Sequence, residues 1–379
     1  MSYSELFELN PSLIHLNHAG ISPWPRATVK AVTQFAYENA SWSSRRYEMW
    51  LQEEWELREL GRWLLDAESK DEIAFLKNTS EGVSAVAFGL DWKAGDNIVL
   101  AREEFPSNRI PWEAAATQHS VEIRWVDVNA TDAPEQALLG QVDSRTRLLT
   151  TSSVHYASGL KMDLSLLGHA LHDTPTLFCV DAIQSLGAHS LSVRESKIDF
   201  LAADAHKWML GPEGIALFWV RPELYERLGL SQYGWHMVAR AGHYEETVWE
   251  VAPDARRFEC GSLNTLGIYA LRASLNLLHE VGMIEIEERI ADRIQQLDQS
   301  LRALECRILT PSEPNRRAGI LTFAPPRQES EEVYKQLLER GILCAARGGG
   351  IRFSPHFYTP ANALQFALET LQEILDSDP

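Results

Sequence analysis

The sequence is short of the signatures that mark several common protein classes. Four cysteines occur in 379 residues, at Cys179, Cys260, Cys306 and Cys344, and no two of them form a Cys-x-x-Cys pair. A zinc or dithiol redox motif is therefore missing, and no metal is expected. Cys179 lies inside an apolar run and reads as a small buried hydrophobe. No Gly-x-Gly-x-x-Gly follows any strand-like run, and no Gly-x-x-x-x-Gly-Lys-Ser/Thr occurs, which argues against dinucleotide and P-loop folds. There is no repeat and no low-complexity stretch. No apolar run reaches the ~18 residues that span a bilayer, and no signal peptide precedes the first motif, so a cytoplasmic protein is expected. Positive charge is also scarce: 35 basic residues face 53 acidic ones, a net charge of −18. Such a surface repels phosphate backbones, which excludes nucleic acid and anionic membranes as expected partners.

What remains is an ordinary globular composition, 45% hydrophobic and 23% charged, on a chain long enough for two domains or one large α/β unit. Its most informative stretch is Ile198 to Gly214. The apolar run Phe200 to Ala203 ends at Asp204, then Ala205-His206-Lys207 follow, and Gly211-Pro212-Glu213-Gly214 leads into the apolar run Ile215 to Val220. That pattern predicts strand, tight polar turn, strand, with a lysine on the turn. Further upstream, the run Leu177 to Val180 ends in Asp181, with Gln184 just beyond. Alone, a lysine after a strand is a solvated residue and an aspartate at a strand end is a turn or cap residue. Together they suggest a pyridoxal phosphate site. The lysine forms a Schiff base with the cofactor aldehyde, and the acid keeps the pyridine nitrogen protonated so that the ring can draw in electrons.

The rest of the chain supplies a frame for this pair. Residues 1–25 read as an irregular, turn-rich segment. Arg26 to about Asp66 reads as two helices carrying Trp42, Trp50, Trp55 and Trp63, which suit a core or a subunit interface. The strand 72–76 runs into Lys77-Asn78-Thr79-Ser80 and an apolar helix, the way a phosphate seat is built, although a plain helix cap has the same look. Alternating strands and helices continue to Val220, which predicts a mostly parallel sheet covered by helices on both faces. Ligands in such sheets sit beyond the carboxyl ends of the strands. Thr79, Phe105, Tyr156, Asp181 and Lys207 all fall at or just after predicted strand ends, so one rim can hold them all. Ser231 to Arg257 reads as a long loop rich in aromatics and histidine, a wall of the site or a dimer contact. A long helical region follows to about Ala303. Beyond it, mixed strands and helices, among them a strand Ile342–Ala346, suggest a small α+β domain.

Several of these residues carry a resemblance. Leu16-Asn17-His18-Ala19-Gly20, Val180-Asp181-Ala182-Ile183-Gln184, Ala205-His206-Lys207-Trp208 with Gly211-Pro212-Glu213-Gly214, and Arg352-Phe353-Ser354-Pro355-His356 are similar to the class V aminotransferases of PLP fold type I. That group includes cysteine desulfurases, C–S lyases, isopenicillin N epimerase-like proteins and kynureninases. The resemblance implies an N-terminal segment (1–25), a large cofactor-binding domain (26–260), and a linking helix with a small C-terminal domain (261–379). It implies that Lys207 is the catalytic Schiff-base lysine. Asp181 would pair with the pyridine nitrogen, Gln184 would bond the ring hydroxyl, and Phe105 would stack on the ring. Thr79, Ser80 and His206 would hold the phosphate. Ser262 would reach the cofactor of a partner subunit, which implies a homodimer. Arg352 would hold the substrate carboxylate, beside Tyr156.

The departures matter as much. Phe105 stands where desulfurases usually place histidine, Tyr156 where they often have asparagine, and Asp204 where many relatives carry a phosphate-binding serine. Asp204 is therefore not counted among the ligands. Desulfurases also carry a mobile loop with a nucleophilic cysteine shortly before the arginine. Here only Arg347-Gly348-Gly349-Gly350-Ile351 precedes Arg352, and Cys344 falls in a predicted strand. The leading expectation is an aminotransferase acting on an α-amino acid. The alternatives are a C–S lyase or a desulfurase-like enzyme lacking the cysteine loop, and a PLP-fold binding protein without turnover, against which the intact Lys207, Asp181 and Arg352 count.

Overall fold

The computed structural model describes residues 3–377. After a short strand β1 (Ile14–His15), the helices α1 (Arg26–Trp42) and α2 (Tyr47–Leu65) form as the aromatic and charged pattern predicts. Strand β2 (Ile73–Leu76) then runs into α3 (Thr79–Gly89), which Asn78 caps by accepting from the Glu81 N–H at 2.9 Å. The alternation continues through β3 (Asn97–Ala101), α4 (Ile110–His119), β4 (Glu122–Val126), α5 (Pro134–Leu139), β5 (Thr146–Ser152), α6 (Leu164–His172) and β6 (Leu177–Asp181). Two further strands, β7 (Phe200–Asp204) and β8 (Ala216–Val220), flank the Lys207 turn.

These strands make one seven-stranded sheet in the order β2-β8-β7-β6-β5-β3-β4. Its pairings from β7 through β4 are parallel, while β8 pairs antiparallel with β7 and β2. Every position of β3, β6, β7 and β8 is buried, which explains why their sequences read as unbroken apolar runs. Side-chain alternation sends Val99, Leu149, Val180 and Leu201 into the core on one face and Ile98, Leu148, Cys179 and Ala202 into the core on the other. Each buried Val, Leu or Ile contributes about 1.5–3 kcal/mol, so the two apolar faces hold the strand ends in register.

The helices α7 (Thr265–Val281) and α8 (Met283–Ala303) lead to a second sheet. It contains β9 (Arg307–Ile308) and β10 (Leu321–Ala324), followed by α9 (Ser330–Glu339), β11 (Ile342–Leu343), β12 (Ala345–Arg347), β13 (Gly350–Phe353) and α10 (Ala361–Asp376). Four of these strands pair antiparallel in the order β12-β13-β10-β9. The strand expected over Ile342–Ala346 is divided: β11 pairs with β1, β12 pairs with β13, and Cys344 is buried at the switch. Both pieces are apolar and extended, so nothing in their pattern marks the change of partner.

The N-terminal segment is largely irregular over its described residues, apart from a short helical turn at Tyr3–Leu6 and β1, and it links the two sheets. His18 bonds Ser354 O through Nδ1 at 2.8 Å and the Tyr358 hydroxyl through Nε2 at 2.6 Å, while Ala19 O accepts from Gln184 Nε2 at 3.1 Å. No helix among the described residues is long and apolar enough to cross a membrane.

Candidate active site

Beyond the carboxyl ends of β6 and β7 lies a cavity of about 370 Å³. Thr79, Ser80, Phe105, Tyr156, Asp181, Gln184, His206, Lys207 and Arg352 all line it, though they come from separate turns of the chain. Larger hollows exist among the described residues, among them one of about 670 Å³ beside His189 and one of about 650 Å³ inside the 233–250 segment. Chemistry rather than size marks the smaller one, because it alone of the three contains the lysine, the strand-end acid and the buried arginine.

Asp181 ends β6 fully buried. Its Oδ1 accepts from Ile183 N–H at 3.0 Å, and its Oδ2 is buried with no partner. Burial lifts its pKa to about 6, against the pull of the Ile183 N–H and Lys207. An unpaired buried carboxylate oxygen costs free energy unless a donor arrives, and a protonated ring nitrogen is such a donor. Lys207 lies on the β7–β8 turn, also buried, and burial lowers its amine to about 8, with Arg352 adding to the fall and Asp181 opposing it. Its Nζ sits 5.4 Å from the centre of the Phe105 ring, and Phe105 meets Tyr156 edge-on at 5.3 Å.

The opposite end of the cavity suits an anion. The N-terminus of α3 faces it, and Ser80 Oγ donates to Ser107 Oγ at 2.8 Å. Thr79 Oγ1 accepts from Asp204 N–H at 3.0 Å, which leaves its own hydrogen free. Asp204 also lines the cavity, but its Oδ1 accepts from Ala205 N–H and lies 3.1 Å from His206 Nδ1, so its charge is drawn inward. Gln184 is fixed on both sides, donating to Ala19 O and accepting from Trp208 Nε1 at 2.8 Å. Donors for a phosphate, an acceptor for a ring N–H, an apolar face and an amine together fit pyridoxal phosphate.

On the substrate side, Arg352 is buried. Its Nη1 donates to Tyr156 O at 2.6 Å and its Nη2 to Asn17 Oδ1 at 3.0 Å. Asn17 fits there because Gly20 has no side chain: a Cβ on Gly20 would come 2.7 Å from Asn17 Nδ2. The hairpin that presents Arg352 closes through Gly348 and Gly349, both with positive φ. This is a two-residue turn of the kind only glycine and a few polar residues accept.

Ser262 is exposed and does not line the cavity of its own chain. The 231–257 segment, considered as a wall of the site, instead encloses a hollow of its own, so within one chain it is no wall of the Lys207 cavity. Cys344 is buried off the cavity, and burial pushes its thiol up to about 12. No cysteine lines the cavity. Sequence reasoning missed Arg347, Ser107 and Asn17. It also missed Glu104, which is buried beside the site and accepts from Ser152 N–H at 2.6 Å; burial raises its pKa to about 7. Glu104 and Ser107 flank Phe105 and Pro106 at a strand end, the one signal that could have found them.

The family model described as aminotransferase class-V matches residues 14–359. A probable cysteine desulfurase of Methanothermobacter thermautotrophicus is 29% identical over 386 residues, covering 95% of this chain and 94% of the relative. A cysteine desulfurase of Klebsiella pneumoniae is 30% identical over 290 residues, 76% of this chain and 70% of its own length. Among solved structures, a cysteine desulfurase of Thermococcus onnurineus matches with a TM-score of 0.88 at 22% identity, covering 99% of this chain and 98% of that one. A cystine C–S lyase in complex with cysteine persulfide also gives 0.88, at 23% identity, covering 97% and 99%.

Proposed function

Because the chain belongs to the class-V aminotransferase family, with the fold of type I pyridoxal phosphate enzymes and that cofactor, we propose that it is a C–S lyase. It would expel a sulfur leaving group from the β-carbon of an α-amino acid. The aminotransferase expectation gives way to this alternative, because the similar curated proteins are named cysteine desulfurases. The observation that carries the reading is the Gly348-Gly349 turn. It delivers Arg352 with no room for a cysteine-bearing loop, so sulfur has to leave with the substrate's own fragment.

Asp181 would face the cofactor's ring nitrogen, Gln184 its hydroxyl and Phe105 its ring plane. The N-terminus of α3, Thr79, Ser80 and His206 would hold its phosphate, and in a homodimer Ser262 would serve the neighbouring subunit. Bound there, pyridoxal phosphate supplies the electron sink for chemistry at Cα. The chain's own groups do the rest. Arg352 fixes the α-carboxylate, with Tyr156 O and Asn17 holding the guanidinium in place. Phe105 can neither give nor take a proton, so the Cα proton falls to Lys207, whose lowered pKa keeps its amine available near neutrality. The Cβ–S bond then breaks with its electron pair on sulfur, Lys207 returns the proton to the leaving group, and water converts the three-carbon remainder to pyruvate and ammonia.

The test is to mix the cofactor-loaded protein with cysteine, cystine or alanine while following the visible cofactor band, pyruvate, ammonia and sulfide. A lyase releases pyruvate and ammonia over many turnovers with no keto acid present. Arrest after one equivalent, relieved by an added keto acid, would identify an aminotransferase and sink the reading.

A further inference from the structure

Arg347 is unused by the reading above, yet it lines the same cavity as Lys207 and Arg352. The β12–β13 ladder sets Ala345 opposite Arg352 and Arg347 opposite Gly350. Side chains alternate along a strand, so Arg347 shares its face with Ala345 and, across the ladder, with Arg352. The two arginines are diagonal neighbours, about 7–8 Å apart at the backbone. The other two positions on that face carry a methyl group and a hydrogen, so no bulky side chain of the ladder itself separates the two arginines.

Their electrostatics are unusual for this chain. Acidic residues outnumber basic ones 53 to 35, yet neither guanidinium makes an ion pair among the described residues. Arg352 spends two nitrogens on Tyr156 O and Asn17, and its Nε is buried without a partner. Arg347 has one bond, from Nη1 to the carbonyl of adjacent Ala346 at 2.8 Å, and its head is exposed. Burial lowers the pKa of Arg352, and repulsion from the neighbouring Arg347 cation adds to the fall. A substrate with a single carboxylate occupies Arg352 and leaves the second cation open. A substrate with two carboxylates joined by a short chain of atoms satisfies both.

Resting on the C–S lyase reading, we infer that Arg347 is a specificity residue for a second carboxylate, carried on the sulfur substituent of the substrate. The amino acid cleaved is then an S-substituted cysteine whose leaving group bears its own acid, joined through a thioether or a disulfide. The bonds broken are Cα–H and Cβ–S. Sulfur departs with the electron pair as a thiolate, or as a hydrodisulfide from a disulfide, and takes the proton removed by Lys207. Water yields pyruvate and ammonia from the remainder, and no oxidant or reductant is consumed.

Calorimetric titration of the cofactor-loaded protein with glutarate and with butyrate isolates recognition from chemistry, since neither ligand reacts. Glutarate is expected to bind roughly tenfold to a hundredfold more tightly than butyrate. Arg347→Met should abolish that advantage, Arg347→Lys should keep part of it, and butyrate affinity should stay unchanged in both. Arg347 is exposed, and an unchanged melting temperature would show that the variants fold. Equal affinities in the unmodified protein, undetectable glutarate binding at millimolar concentration, or an advantage that survives Arg347→Met would overturn the inference. A second arm compares kcat/KM for S-carboxymethylcysteine, cystine and S-methylcysteine. Preference for either acid-bearing substrate supports the inference and tells thioether from disulfide, whereas equal rates overturn it. Failure of the lyase reading itself looks different: the glutarate preference persists while none of the three releases pyruvate.

Discussion

The two walls of the Lys207 cavity are built by different means. One wall belongs to the large sheet. Its groups stand on successive strand ends and a helix start, and most of them are closed onto one another: Thr79 with Asp204, Asp204 with Ala205, Gln184 with Ala19 and Trp208. A buried acceptor left open there is Asp181 Oδ2. The other wall is assembled from a hairpin, the carbonyl of Tyr156 and a side chain near the N-terminus, and it presents two cations with no counter-charge. A wall that is nearly satisfied suits a resident that stays. A wall with open charge suits a ligand that arrives and leaves.

The sharpest way to break this contrast is Asp181→Asn, which keeps the shape of the first wall and removes its charge. Turnover is expected to fall about 10²–10³-fold, and the position of the cofactor band should change. A variant that altered only KM would mean that Asp181 belongs to the substrate wall. The next effect is one of pH. Only a neutral amine attacks an aldehyde, and burial brings Lys207 down to about 8, so its neutral fraction grows as pH rises toward 8. Cofactor capture by the cofactor-free protein should accelerate roughly fiftyfold between pH 6 and pH 8 and then level off, as followed by stopped-flow absorbance. A rate still climbing toward pH 10 would show a solvated lysine instead. The smallest effect tests the second wall. Asn17→Ala frees one nitrogen of Arg352, and KM for the amino acid is expected to rise about three- to tenfold with kcat nearly unchanged, as steady-state assays would show.

The same contrast decides what could be read in advance. The sheet wall was legible because each of its residues follows an apolar run that has to be a buried strand, and strand ends in a parallel sheet share one rim. Lys207, Asp181, Thr79 and Phe105 reach a single cavity for that reason. The hairpin wall was only partly legible. Arg352 came from a resemblance. Arg347 needs the strand register, and the register depends on a break at Cys344 between two apolar pieces that look like one strand. Asn17 acts across the whole chain, and no local pattern carries such a contact. Ser262 was expected to serve a neighbouring cofactor, and a single chain leaves it exposed, away from its own cavity.

The thread from β1 to Ala19 has a consequence for how this protein is made. His18 bonds a residue 336 positions downstream, and β1 pairs with a strand close to the end of the chain. This segment is made long before its partners and is therefore among the later ones to find its place. Until residues 342–354 have been made, the large sheet can fold while residues 14–19 hang unpaired. Arg352 and Asn17, the side chain that steadies it, meet only then, so a nascent molecule that has not reached β13 holds a well-formed sheet without the grip that the two residues make together.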